Sequence, residues 1–315
     1  MNPAFSVILL TTLIGAAQGL FLALYTVEVY VWLAFLPPAE GAAMPVVGSV
    51  VALALLVAGL VASFFHLGRP ERAWRTATQW RTSWLSREVI VLPIFMASVA
   101  LWGLLHALGA ASLVTLVVGA GATLLAFALF YCTGMIYACI RFLAEWATPL
   151  TPLNYTLLGG ASGFTLAAAL AASIEPQRVE FLAGWAVILT LTAAVFRGAS
   201  LWRNARLVPR STLQTAIGIK HPQIVQKSMG FMGGAFNTRE FFHGIGQRRF
   251  RLVRPAFLVL AFVVPVVLLA AGLGTASVMW LGAAFAIQYV GLLVERWFFF
   301  AQANHPQNLY YQAVA

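Results

Sequence analysis

The sequence predicts an all-α integral membrane protein, a bundle of eight transmembrane helices with both termini in the cytoplasm. Three observations carry this. Of the 315 residues, 61% are hydrophobic and 9% charged, with no Asp, far outside the range of a soluble globular domain. Apolar runs able to cross about 30 Å of hydrocarbon recur along the whole chain. Threading eight spans also puts 18 of the 19 Lys and Arg residues on one side, leaving Arg178 alone opposite.

The first run, near residues 5–35, has no basic segment before it and is far longer than a signal-peptide core, so it reads as a retained helix. Pro37 and Pro38 end it. The second run, near 45–65, stops before Gly68 and Pro70; the third, near 87–107, holds Pro93, which a membrane helix tolerates when neighbours satisfy the freed carbonyl. A fourth lies near 113–140. The fifth (153–173) and sixth (181–202) follow Pro149 and Pro152, and then Pro176. The seventh, near 255–272, is the shortest and contains Pro265; Gly272 and Gly274 separate it from the eighth, near 276–299. One transmembrane domain over 1–315 accounts for the chain.

With eight spans, one face receives Arg69, Arg72, Arg75, Arg81, Arg87 and Arg141, then eleven Lys or Arg from Arg197 to Arg254, then Arg296. The positive-inside rule places that face and both termini in the cytoplasm. The net charge of +10 is thereby explained by topology and calls for no nucleic acid. The connection over 203–254 is a long basic cytoplasmic loop between helices 6 and 7, rich in Phe, Ile and Met. It reads as a docking surface for a partner subunit, with a cap on its own helices or a lipid-headgroup contact as the alternative. The aromatic tail from Ala303 onward suits the same surface. Cys132 and Cys139 are two helical turns apart, about 10 Å, too far for a disulfide, and read as core residues.

The segment from Phe64 to Val89, FFHLGRPERAWRTATQWRTSWLSREV, is polar and rich in Arg and Trp between two apolar runs. His66 ends one helix and Glu88 begins the next at the same water-facing surface. Trp74, Trp80 and Trp84 offer flat apolar faces, Arg69, Arg72, Arg81 and Arg87 offer donors, and Ser83 or Ser86 can cap helix 3. A quinone needs this mixture: an apolar groove, a donor at each carbonyl and a group that exchanges protons near neutral pH. A histidine at a helix C-terminus also complements the dipole without further role.

Elsewhere, Glu28 with Tyr25, Tyr30 and Trp32 reads as an interfacial anchor belt at the outer end of helix 1, with an outer proton path as the other possibility. His106 reads as interfacial at the outer end of helix 3. Gln18 lies deeper in helix 1, able to bond a ligand or another helix. Tyr137 and Arg141, four apart near the inner end of helix 4, either join the same pocket or anchor the helix. Only His66 and His106 approach the spans, at opposite faces, which argues against a b-type haem. No cysteine motif for zinc or an iron–sulfur cluster is present. A transporter would show charged residues at mid-membrane, and none is evident from position alone; a scaffold or lipid enzyme stays open.

HLGRPERAW from His66, Trp84-Leu85-Ser86-Arg87-Glu88, and the eight-span body without haem histidines resemble the DmsC-type membrane anchor subunits of molybdopterin oxidoreductases. MNPAFSVILLTTLIGAAQGLFLALY, MIYACIRFLAEWATPLTPLNY, AIGIKHPQIVQKSMGFMGGAFNTREFF and ERWFFFAQANHPQNLYY are closer to the SoeC-type anchors of cytoplasm-facing sulfite dehydrogenases than to the dimethyl sulfoxide reductase anchor. The resemblance implies a quinone-reactive anchor in the bacterial cytoplasmic membrane. Ubiquinone or menaquinone would be its ligand, with no haem or metal in this chain. Its partners would be a ferredoxin-like iron–sulfur subunit with [4Fe-4S] clusters and a catalytic subunit holding molybdopterin guanine dinucleotide, both on the cytoplasmic face. The family's quinol-site histidine and helix 3 acid fall on His66 and Glu88. Gly68, Arg69, Trp74, Arg81, Trp84, Arg87, Tyr137 and Arg141 are then the candidate quinone-binding residues.

Overall fold

A computed structural model describes residues 3–38, 41–65, 67–208, 212–225 and 247–303. His66, residues 209–211 and 226–246 of the 203–254 connection, and the tail beyond Ala303 lie outside the described residues. The described elements are helical. In order they are α1 (Phe5–Trp32), α2 (Ala43–Phe64), a 3-10 segment (Pro70–Gln79), α3 (Trp84–Ala107), α4 (Ser112–Ala138), α5 (Leu150–Ile174), α6 (Val179–Asn204), the short α7 (Leu213–Ile217), α8 (Gln247–Leu258), α9 (Val264–Leu273) and α10 (Val278–Ala301). A π turn (Val259–Val263) joins α8 to α9 into one span, so that among the described residues eight segments are long and apolar enough to cross a membrane.

Helices α1 and α5 form the centre. In their most apolar windows 72% and 67% of residues are enclosed, against 28–33% in the other six spans, whose remaining faces suit lipid. Small residues allow the central contact. A Cβ on Gly19 would fall on the backbone of Gly159 and Gly160, and one on Gly163 on that of Gly19 and Leu20. Between apolar helices in lipid, such close approach supplies the packing energy that water would otherwise drive.

Proline and glutamine cooperate in the seventh span. Pro265 has no N–H for the carbonyl of Ala261, four residues earlier, and the helix widens to a π turn just before it. Gln288 of α10 donates through Nε2 to that carbonyl at 3.4 Å and to Thr190 Oγ1 at 3.0 Å. Gly291, one turn on, is where α10 meets the widened backbone at Leu260 and Ala261.

Helix α3 starts three residues before its apolar run, because Ser83 is extended and its Oγ accepts the Ser86 N–H at 3.4 Å. Helix α4 stops at Ala138. Cys132 is buried as expected, whereas Cys139 caps the exposed end of α4; both are free. The basic end of the bundle therefore gathers the start of α1, the end of α2, the start of α3, the end of α4, the start of α5, and the ends of α6 and α10.

Candidate functional site

Glu88 lies in the first turns of α3, and its side chain is enclosed, 7% exposed. Its Oε1 accepts the Thr133 hydroxyl of α4 at 2.5 Å. A cavity of about 10 Å³ beside it is lined by Thr11, Gly15 and Gln18 of α1, Phe130 and Thr133 of α4, and Tyr155 of α5. Gln18 spends its amide on the Ala126 carbonyl at 2.8 Å, tying α1 to α4. The carboxyl group thus sits at the junction of four helices, one turn behind a polar rim.

That rim pairs Trp with Arg. Arg75 stands 5.6 Å from the Trp74 ring, Arg81 5.4 Å from Trp80 and Arg87 4.1 Å from Trp84. Arg87 also donates to the Trp80 carbonyl at 2.9 Å and the Arg81 carbonyl at 2.8 Å, fastening the segment before α3 onto its first turn. Trp84 meets Tyr131 of α4 edge-on at 5.4 Å. Each Arg–Trp pair keeps an apolar face and a charge together at the interface. Gly68, Arg69, Trp74 and Arg81 are exposed along this rim.

Tyr137 is one turn beyond Thr133 on α4, inside an aromatic cluster with Tyr155, Trp146, Phe299 and Phe300. Arg141 does not share its helical face, since α4 has ended and Arg141 is exposed in the following turn. So Trp84, Arg87 and Glu88 come together, Tyr137 stands behind them, and Arg69, Trp74 and Arg81 line the water side.

Sequence position hides a buried charge cluster. Glu295 is 0% exposed and clamped between two guanidiniums, Arg197 Nε at 2.6 Å from Oε1 and Arg296 Nε at 2.5 Å from Oε2. Threading assigns Arg197 and Arg296 only to the basic face, and no charge to the interior. They are enclosed, 2% and 4% exposed, seven and five residues inside their helix ends, roughly 10 and 8 Å at 1.5 Å per residue. The signal available was the Glu-Arg doublet inside an apolar span. Arg296 lies over the rings of Tyr155 at 4.3 Å and Phe299 at 4.7 Å, and Arg197 stands 5.7 Å from Phe257. A second cavity, about 20 Å³, is lined by Thr11, Thr12, Gly15, Tyr155, Ser162 and Arg296 among others.

At the opposite end, Glu28 and His106 meet inside the bundle rather than pointing outward. Glu28 is 13% exposed in its side chain, accepts Trp102 Nε1–H at 2.9 Å and the Thr115 hydroxyl, and lies 3.3 Å from His106 Nε2. The reason is azimuth: α1 turns Glu28 toward α3 and α4, over a cavity of about 220 Å³. Phe21, Phe95 and Trp102, each 0% exposed and in edge contact at 5.7 and 5.4 Å, pack beneath it.

The chain is 56% identical to a sulfite dehydrogenase subunit of Allochromatium vinosum over 328 aligned positions, covering 100% of both chains. A family model described as "DMSO reductase anchor subunit (DmsC)" matches residues 1–302. With eight apolar spans beneath that match, the protein is a multi-pass membrane protein and belongs to the DmsC family of anchor subunits.

Proposed function

We propose that this chain is the quinone-reactive anchor of a molybdenum and iron–sulfur oxidoreductase complex. It passes electrons from a ferredoxin-like [4Fe-4S] subunit to the quinone pool as a molybdopterin catalytic subunit oxidises sulfite. The observation that carries this is Glu88, an enclosed carboxyl group bonded to Thr133 directly behind an Arg–Trp rim. The full-length 56% identity to a sulfite dehydrogenase subunit supports the substrate of the complex.

The residues suit a quinone at the rim rather than in the interior. The space beside Glu88 is about 10 Å³, enough for one water and far too small for a ring. Trp84, Tyr131 and the exposed Phe64 and Phe65 supply an apolar wall outside it. Arg87 and Arg69 supply donors. A bound quinone takes up two electrons and two protons to become quinol. His66 and Glu88 each give one proton to a quinone oxygen, while the electrons come from the partner's clusters; both groups regain their protons from water at the basic end. Threading eight spans through the sequence puts 18 of the 19 basic residues on that side, which supports a cytoplasmic face carrying both termini, where the partners dock. Phe21, Phe95 and Trp102 fill the core between Glu88 and the far end, which supports proton uptake and electron entry on one side, an electroneutral anchor.

His66→Ala and Glu88→Gln are expected to leave the complex assembled and to slow its reduction of a quinone analogue about 100-fold. Normal quinone kinetics in both variants would sink the site. The family's description as a dimethyl sulfoxide reductase anchor favours a second reading, oxidation of menaquinol toward a reductase. Faster turnover of the purified complex with quinol and a sulfoxide than with sulfite and a quinone would select it.

A further inference from the structure

Tyr155 joins two features that the proposed proton transfer leaves separate. It lines both the cavity beside Glu88 and the cavity beside Arg296, together with Thr11 and Gly15. Each space, about 10 and 20 Å³, is of the size that a single water occupies. The Tyr155 hydroxyl is enclosed and makes no hydrogen bond of good geometry among the described residues, although Tyr137 and the Arg296 guanidinium lie close enough to interact with it, and Arg296 Nη1 is likewise without a well-aligned partner. Unpaired buried donors cost roughly 1–3 kcal/mol each, so such groups persist where a ligand, a water or a transient state uses them.

The ring that aims this hydroxyl is held rigidly. Tyr155 stacks on Tyr137 at 5.7 Å with planes 7° apart, meets Phe299 edge-on at 5.9 Å, and has the Arg296 guanidinium 4.3 Å over its face. Charge points the same way. Two guanidiniums share the single carboxylate of Glu295, so one positive charge is left over, beside Tyr155. In a low-dielectric interior a surplus cation favours negative charge nearby. Glu88, on the other side of Tyr155, is the described carboxyl group placed to carry it.

We propose that Tyr155, backed by Arg296, is the internal hydrogen-bond donor that receives Glu88 as a carboxylate each time Glu88 has given its proton to quinone. This rests on the quinone site proposed above. The O–H of Tyr155 donates toward the Glu88 oxygen directly or through one water in the cavity between them. Arg296 Nη1–H turns toward the Tyr155 oxygen from the second cavity. No bond to carbon changes and Tyr155 keeps its proton; it is a positioning residue, acting on quinone only through Glu88.

Tyr155→Phe tests this, because the ring, its stacking and the guanidinium contact survive while the donor is lost. In the assembled complex it is expected to lower kcat for a quinone analogue about tenfold, the effect of one net hydrogen bond, with KM and thermal midpoint unchanged. In infrared difference spectra the band of the protonated Glu88 carboxyl should shift. In a Glu88→Gln background the same change should have no further effect. Arg296→Lys, which keeps the charge, should retain most of the rate that Arg296→Gln loses. Full kcat in Tyr155→Phe, or independent multiplying losses in the double variant, would overturn the link. Normal kinetics in Glu88→Gln itself would instead overturn the quinone site and leave Tyr155 as packing.

Discussion

Arg197 Nε and Glu295 Oε1 meet at 2.6 Å with side chains 2% and 0% exposed, and Arg296 takes the other oxygen of the same carboxylate. Helices α6 and α10 are thereby pinned together through charge inside an apolar bundle. Glu295→Gln would leave two buried guanidiniums without a carboxylate within ion-pair reach among the described residues. It is expected to destabilise the protein by about 3–5 kcal/mol, read as a lower thermal midpoint of the detergent-solubilised complex. A midpoint equal to that of the parent would show that the cluster contributes nothing to folding.

The close contact of α1 and α5 makes a second prediction. A Cβ on Gly163 has no room, since it would overlap the backbone of Gly19 and Leu20, and neither backbone can rotate away as a side chain does. Gly163→Ala should therefore force the helices apart at a cost of about 1–3 kcal/mol. Gly184→Ala is the control, because nothing stands within 4 Å of its added carbon. Equal thermal midpoints for the two variants would refute the tight central packing.

These two contacts mark the boundary of what the chain discloses in one dimension. The spans were legible because about 20 apolar residues suffice to identify each, and Glu88 was legible because it begins a span next to an Arg–Trp segment. Its enclosure was not, since Ser83 starts the helix earlier and Thr133 of α4 accommodates the carboxyl group within the bundle. Sequence position gives height in a membrane but no azimuth. Glu28, His106, Arg197 and Arg296 therefore read as facing water or lipid from position alone, when each turns toward a neighbouring helix. Tyr155 escapes notice for the same reason: its chemistry depends on side chains of α1, α4 and α10 that lie far from it in the chain.

The Glu28 cluster supplies a test of sidedness. Glu28 accepts from Trp102 and Thr115, so Glu28→Gln replaces charge-assisted bonds with weaker ones and sets an amide against donors. A loss of roughly 1–3 kcal/mol in stability is expected, with quinone kinetics unchanged, because Phe21 and Phe95 close the core between this cluster and Glu88. Slowed quinone reduction in a variant that folds normally would mean that the far end takes part in proton movement, and the electroneutral reading would fail.

The seventh span offers a test by rescue. Gln288→Leu removes the only described side-chain donor to the Ala261 carbonyl, which Pro265 already deprives of its helical N–H. An unpaired carbonyl within a bundle costs about 1–3 kcal/mol, and the thermal midpoint should fall accordingly. Pro265→Ala restores an N–H at the right position in the chain. In the Gln288→Leu background it should therefore recover much of the loss, whereas alone it should gain little because Gln288 already serves the carbonyl. If the two changes are simply additive, Gln288 acts through Thr190 and not through the π turn, and the proline and the glutamine are independent.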